Sequence, residues 1–338
     1  WRHKRDHEGS GEQGDLSLER GFPRILLALL ALLSVPCFAQ ESEPRDDPKP
    51  RGSNFAREYT FSNDEEPHAH HDLLSRVGPY FKAKVQGKTV CALLDSGATQ
   101  TLLSDKAALQ FGIPSEKPLG FMRTLNGIVP RSLSGPVRVE VPGQFSFESP
   151  VVLGPVPQLP CTKDEDLPLS LIIGMDVMKV MSVLIDRPGN RITFRPSGEL
   201  LPTNRIARRI DWIDRYIQVQ IEERGIPMVV DTGLAVPFLL PPTLFDQLSE
   251  GKETKGGISL STAGGEITDM RSIPDLPFRI YLPEIGKYAE VSAEAVRAET
   301  DGDTRPALIG FSMFVYVEAL FDAANDAIYL IRDRRPDD

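Results

Sequence analysis

Val90-Cys91-Ala92-Leu93-Leu94-Asp95-Ser96-Gly97-Ala98-Thr99 and Pro227-Met228-Val229-Val230-Asp231-Thr232-Gly233-Leu234-Ala235 decide the reading of this 338-residue chain. Each is an apolar run ending in Asp, a hydroxyl residue and Gly. At average composition one such tripeptide arises by chance in roughly one chain of this length in seven, so a single copy carries little. The pair carries more, because its surroundings repeat with it. The two aspartates are 136 residues apart. Shifted by that number, Tyr80 falls on Tyr216 and Leu171-Ile172-Ile173-Gly174 on Ala307-Leu308-Ile309-Gly310. Leu184-Ile185-Asp186 falls on Leu320-Phe321-Asp322, and Ile192 on Ile328, without a gap. That register predicts an internal duplication. Its period is too long for a solenoid and implies two similar domains.

An apolar run, Asp-Ser/Thr-Gly and, later, two aliphatics before a Gly resembles the pattern of retropepsin-like aspartic proteases. The resemblance covers about residues 77–333. In that family each lobe supplies one catalytic Asp; viral members pair two identical lobes, and pepsin-like members carry both on one chain. The resemblance implies two fused retropepsin-sized lobes in a bacterial-type secreted form. The expected fold is all-β, with two β-barrel-like acid-protease lobes, a few short helices and the active cleft between them. Asp95 and Asp231 are the expected catalytic pair, with no cofactor and no metal. Ser96 and Thr232 are expected to point their hydroxyls across to the opposite lobe. Gly97 and Gly233 let the backbone turn tightly, and Thr99 adds support to its loop. Gly174 and Gly310 let a later strand pass under each active loop. Two hairpin tips, Leu125-Asn126-Gly127 and Ala263-Gly264-Gly265, resemble flaps that hold an extended peptide or protein substrate.

Two carboxylates held close cannot both ionise cheaply, so one keeps its proton over a wide pH range; aspartic proteases are the standard illustration of that rule. The ionised member takes a proton from water while the protonated member polarises the peptide carbonyl. Beyond its Gly, the second motif departs from the family pattern. Leu234 stands where a small residue is expected, and Ala235 where a hydroxyl or acid is. The pair after the later Gly also differs, Met175-Asp176 against Phe311-Ser312. These departures leave an alternative, a weak or inactive peptide-binding protein that kept the fold. A reading of both triplets as ordinary turns conflicts with the gapless register. No G-x-S-x-G, H-E-x-x-H or G-x-x-x-x-G-K motif supports a serine hydrolase, a zinc protease or a phosphate loop.

Formal charge is −10 and no long basic run is present, which argues against nucleic acid as a partner. The chain opens on Trp1, as expected of a fragment or a misplaced start. Arg20 and Arg24 precede an apolar run from Ile25 to Val35, too short for a comfortable membrane span. Pro36 and Cys37-Phe38-Ala39 follow, with small residues at 37 and 39, the positions a signal peptidase reads, so residues 1–39 read as a signal peptide cleaved near Ala39. A secreted or periplasmic monomer, without stable membrane insertion after cleavage, is expected. Residues 40–76, rich in Pro, Asp, Glu and Arg, read as a disordered tether, and His68, His70 and His71 as incidental to it. The first lobe is placed at 77–195, a connection at 196–212, the second lobe at 213–333 and a polar tail at 334–338. Cys91 and Cys161 either pair, in an oxidising compartment, or stay as buried thiols. Asp186 and Asp322 read as turn residues.

Overall fold

The computed structural model describes residues 58–61, 71–74, 78–157, 161, 167–200, 206–299, 305–314 and 317–332. The expected signal peptide, most of the tether and the polar tail lie outside them. Among the described residues no helix is long and apolar enough to cross a membrane.

The first half runs β1 (Tyr59–Phe61), β2 (His71–Asp72), β3 (Tyr80–Val85), β4 (Lys88–Leu94), β5 (Leu102–Ser104), α1 (Asp105–Phe111), β6 (Ser115–Thr124), β7 (Gly127–Val141), β8 (Phe145–Gly154), β9 (Leu169–Ile173), α2 (Met175–Met178), β10 (Met181–Asp186) and β11 (Arg191–Pro196). The second half repeats that order: β12 (Ile206–Asp211), β13 (Tyr216–Ile221), β14 (Arg224–Asp231), β15 (Phe238–Leu240), α3 (Pro242–Ser249), β16 (Lys255–Thr262), β17 (Gly265–Leu282), β18 (Lys287–Arg297) and β19 (Ala307–Gly310). A short 3₁₀ turn, β20 (Glu318–Asp322) and β21 (Ala327–Arg332) follow. The fold is all-β and acid-protease-like.

In each half six strands close on themselves. The first ring pairs β3–β4–β9–β5–β8–β7 and returns to β3. The second pairs β13–β14–β19–β15–β18–β17 and returns to β13. Alternation fills these barrels, because successive side chains on a strand face opposite sides. Phe81, Ala83 and Val85 on β3, and Val137, Val139 and Val141 on β7, are all fully buried. In β4, Val90 through Leu94 are buried on both faces, so the strand before Asp95 is apolar throughout. Phe81 and Phe145 each pack on Phe194 with ring centroids 5.3 Å apart. Phe238 meets Phe278 edge-on at 4.5 Å in the second half.

The closing hairpins β10/β11 and β20/β21 do more than finish their own halves. They join in one six-stranded sheet, ordered β12-β21-β20-β10-β11-β2. Its central pairing sets Leu184 opposite Leu320, the two residues that the 136-residue register already equates. A pseudo-two-fold axis therefore passes between them.

Three expectations need correction or completion. Part of the presumed tether is strand: Tyr59 and Phe61 pair with Phe147 and Phe145, and β2 pairs with β11. Aromatic packing of Tyr59 on Phe147 at 5.6 Å supplies the burial that its polar surroundings conceal. The connection at 196–212 likewise contains β12, which pairs with β21 along its whole length. Cys91 and Cys161 form a disulfide, with their Cα atoms 6.2 Å apart.

Helix α1 starts where Ser104 accepts a hydrogen bond from the Ala107 amide at 3.0 Å. Substituting Ser104 by Ala is expected to lower stability by about 1 kcal/mol, read as a lower urea midpoint at unchanged m.

Candidate active site

Asp95 follows β4 and Asp231 ends β14, each at the tip of a buried apolar strand. Each of these strands is held by a parallel partner. Leu94 pairs with Ile173, and Asp231 with Gly310. The two carboxyls sit side by side, each packed against the glycine of the opposite loop. They lie on the floor of a cleft of about 2330 Å³.

Hydroxyls crossing between the halves lock the two loops. The Ser96 amide donates to Thr232 Oγ1 at 3.0 Å, and the Thr232 amide to Ser96 Oγ at 3.0 Å. Ser96 Oγ donates onward to the Val230 carbonyl and Thr232 Oγ1 to the Leu94 carbonyl, both at 2.7 Å. Both side chains are fully buried. All four bonds respect the 136-residue register, so this lock shares the pseudo-two-fold axis of the shared sheet.

Gly97 and Gly233 sit where no side chain fits. A Cβ on Gly233 would stand 2.7 Å from Asp95 Cγ, and one on Gly97 would run into the Asp231 carboxyl. Gly174 is equally confined, with the Gln100 carbonyl 2.7 Å from an added Cβ. Gly310 lies under Leu234 and Val236 in the same way. At these four positions the absence of a side chain is what lets the backbones approach.

The electrostatics of the pair are unequal. Burial raises both carboxyls above their ordinary value. For Asp231 the neighbouring Asp95 charge adds to burial and carries it well above. Asp95 is held back by the Asp231 carboxyl beside it and by the Gly97 and Ala98 amides, which donate to Oδ1 at 2.8 and 3.0 Å. Arg215 also favours the Asp95 anion, and its Nη1 donates to the Gly97 carbonyl at 3.1 Å. Close by, burial and the Asp95 charge push the Tyr80 phenol up to about 12. The Gly233 amide donates to Asp231 Oδ1 at 2.9 Å as the Gly97 amide does to Asp95, so Arg215 is the contact that tilts the shared proton toward Asp231, and the two titrate as one system.

The hairpin tips meet each other across the cleft. Asn126 Nδ2 reaches the Gly264 and Glu266 carbonyls at 3.4 and 3.3 Å. The tips are built alike: Thr124 Oγ1 donates to the Gly127 carbonyl at 3.1 Å, and Thr262 Oγ1 to the Gly265 carbonyl at 2.8 Å. Leu125 and Ala263 both line the cleft. Among the described residues the cross-tip hydrogen bonds are these two long ones, and the tips also pack closely, since a Cβ on Gly264 would run into the Asn126 carbonyl.

Thr99 departs from expectation. It is exposed on the cleft wall and makes no hydrogen bond among the described residues. The hydroxyl that braces this loop is Thr101, whose amide and Oγ1 donate to Asp176 at 2.9 and 2.8 Å. The second half lacks that brace, because the equivalent positions hold Pro237 and Ser312. There the backbone substitutes, with the Gly310 amide donating to the Pro237 carbonyl at 2.8 Å. Among the described residues, Ser312 Oγ is buried without a hydrogen-bond partner. The departures read at Leu234 and Ala235 thus belong to a wider loss of polar support around Asp231.

Asp186 and Asp322 stand apart from the site and serve turns. Asp186 accepts from the Gly189 amide and from Arg191, and Asp322 from Ser197 and Asn325. Of the three histidines, His68 and His70 lie outside the described residues. The ring of His71 sits 2.7 Å from the Pro142 carbonyl. Sequence reasoning missed Arg215, Thr101 and Asp176; the last was visible only as a mismatch between the halves.

Residues 81–177 match the family model described as aspartyl protease. Protein DDI1 homolog 2 of Homo sapiens is 26% identical over 192 residues, covering 53% of this chain and 44% of that protein. The Xenopus tropicalis protein of the same name is 26% identical, with 53% of this chain and 45% of the relative covered. That of Danio rerio is 24% identical, with 53% and 43% covered. This chain therefore spans less than half the length of these curated relatives. Together the likenesses support the retropepsin-like aspartyl proteases, and a peptidase in general, at family level.

Proposed function

We propose that this protein is an aspartic endopeptidase in which Asp95 and Asp231 activate a water for attack on a peptide bond. The observation that carries the reading is the adjacent carboxyl pair, locked by Ser96 and Thr232 at the floor of a cleft roofed by two hairpins. Asp95, ionised and steadied by two amides, takes the proton of the water. Asp231, protonated, passes its proton to the carbonyl oxygen as the carbon becomes tetrahedral, giving a gem-diol. Collapse of that intermediate breaks the C–N bond, a hydroxyl proton returns to Asp231, and the proton gained by Asp95 passes to the leaving amine. The substrate lies extended between the tips and the dyad, paired through its backbone.

Two fused retropepsin-like lobes, at 77–195 and 213–333, organise this reading, and a monomer suffices because both aspartates lie on one chain. Export to a secreted or periplasmic location is part of the proposal. It is supported by the apolar run near residues 25–35 and by the disulfide, which suits an oxidising compartment. A weak or inactive peptide binder is the second reading. It is favoured by the missing polar brace beside Asp231, where Pro237 and Ser312 replace the Thr101–Asp176 pair.

Cleavage of a mixed peptide library from acid to neutral pH tests the choice. The value of kcat/KM is expected to rise through the step that ionises one carboxyl and fall through the step that ionises the second. Since both groups are raised from 3.8, both limbs lie above that pH. A flat profile, or hydrolysis that is unchanged when both aspartates are Asn, removes the dyad. Binding of peptides without cleavage at any pH selects the second reading.

A further inference from the structure

The passage into the first hairpin strand of each barrel is tied down alike in the two halves. The Leu73 amide donates to the Asn190 carbonyl at 3.0 Å and the Leu74 amide to the Tyr80 carbonyl at 2.7 Å. In the second half the Trp212 amide donates to the Asp326 carbonyl at 2.8 Å and the Ile213 amide to the Tyr216 carbonyl at 3.0 Å. Both pairs of acceptors keep the 136-residue register, whereas Leu74 and Ile213 are 139 residues apart. The first half thus spends three more residues between the tie and β3. Asn190 Nδ2 also donates back to the Leu73 carbonyl at 3.0 Å, which pins this passage to the β10/β11 turn.

Equal ties leave the two side chains in different places. Ile213 is 58% exposed and is not among the described residues that line the cleft. Leu74 is half-buried, lines the cleft and packs on the apolar cluster that contains Tyr80, Leu93, Leu169 and Ile172. That cluster stands next to the reacting groups. Tyr80 lies opposite Leu93 in the β3/β4 pairing. Leu93 is two residues before Asp95, so the two side chains face the same way about 7 Å apart along the chain. Val229 stands in the same relation to Asp231 and also lines the cleft. The Ser96–Thr232 lock places the pseudo-two-fold axis between the aspartates. Leu93 and Val229 therefore flank a bound peptide bond on opposite sides. Beside Leu93 the cleft gains Leu74 and Tyr80; beside Val229, their counterparts Ile213 and Tyr216 are not among its described lining.

We infer that Leu74 is a specificity-determining residue, which closes an apolar subsite on one side of the scissile bond and restricts it to aliphatic side chains. The inference rests on the peptide-cleft reading above. Leu74 and Tyr80 add bulk to this corner that the corner beside Val229 does not receive from their counterparts. The residue on that other side of the bond is therefore free to be aromatic or aliphatic. Apolar surface of the substrate residue leaves water against Leu74, Leu93, Leu169 and Ile172, which supplies the attraction. The limit on size comes from packing, because a filled corner yields poorly to a larger group. Unequal subsites also fix the direction in which a peptide lies, although the dyad and its lock are nearly symmetric.

Two readouts separate this inference from the peptidase reading. Binding is measured by fluorescence anisotropy with the Asp231→Asn chain, and cleavage with the native chain. Both use peptides that carry Ala, Leu, Phe or Trp in turn at each position. At one position beside the bond, Leu is expected to be preferred to Trp by about tenfold or more. Leu74→Ala should erase that preference by admitting Phe and Trp at this position alone. Leu74→Met should keep it, and Leu74→Phe should shift it toward Ala. Ile213→Ala, at the counterpart, should leave every profile unchanged; thermal midpoints confirm that the variants fold. A merely structural role for Leu74 lowers all peptides together and moves no profile. That uniform loss overturns the subsite and leaves the peptidase standing, as does native indifference to size, or a preference for Trp over Leu, at both positions beside the bond. A Leu74-dependent size preference in binding without any cleavage does the reverse. Absence of peptide binding overturns both.

Discussion

Asp231→Asn is expected to abolish peptide hydrolysis, with kcat/KM falling by about 10²–10⁴-fold, in a protein that folds as before. Asparagine matches the carboxyl in shape but cannot deliver a proton to the carbonyl oxygen. Stability should move the other way. A carboxyl whose folded pKa lies above its unfolded value stabilises the fold fully below the unfolded pKa. That contribution is lost as pH rises through the folded value. Asp231 is such a group, raised by burial and by the Asp95 charge. The Asn variant does not titrate there, so its Tm relative to the native chain should increase from pH 3 to pH 7. Asp95→Asn is expected to be equally inactive. If Asp95→Asn alone kills activity and Asp231→Asn does not, the second half supplies no catalytic partner.

Thr232→Ala is expected to cost about 2–5 kcal/mol, measured by urea unfolding, and to lower kcat as well. The substitution strips the Ser96 amide of its acceptor and the Leu94 carbonyl of its donor, both in a fully buried setting. Each unsatisfied group costs on the order of 1–3 kcal/mol. Ser96→Ala should behave alike by symmetry, and the double variant should lose less than the sum because the two residues share one network. Thr232→Ser keeps the hydroxyl and should recover most of both losses. A change under about 0.5 kcal/mol in Thr232→Ala, within the range of ordinary surface substitutions, would sink the idea that this lock holds the halves together.

The gapless register carried much of the architecture. It equated Asp95 with Asp231 and Leu184 with Leu320, and the structure brings both pairs together. Only the consequence of the second match, a strand pairing across the axis, escaped a linear reading. Partners distant in sequence were the hardest to foresee. Arg215 acts on a loop 118 residues away and Thr101 on an aspartate 75 residues away, and neither spacing has a local signature. Thr99 was chosen for its place in the motif, whereas the brace belongs to the hydroxyl two residues later, which turns inward. Composition misled at the edges. Tyr59 and Phe61 lie in polar sequence, yet three residues suffice for a strand when aromatics wait on the neighbouring one. Arg208 and Arg209 gave 206–211 the look of a linker, although the segment pairs fully with β21.

The sheet shared by the two halves has a temporal consequence. Strand β10 is complete at Asp186, but its partner β20 begins only at Glu318, 132 residues later. At about 5–20 residues per second, a ribosome needs roughly 7–26 s to make the difference. Throughout that interval the first half, however early its barrel closes, presents β10 as an unpaired edge. An exposed edge of this kind pairs readily with other strands, including the β10 of a neighbouring nascent chain, because the pseudo-two-fold register makes β10 a close mimic of its proper partner. Crowded polysomes therefore raise the chance of mispairing at this strand, and slow translation between residues 186 and 318 lengthens the exposure.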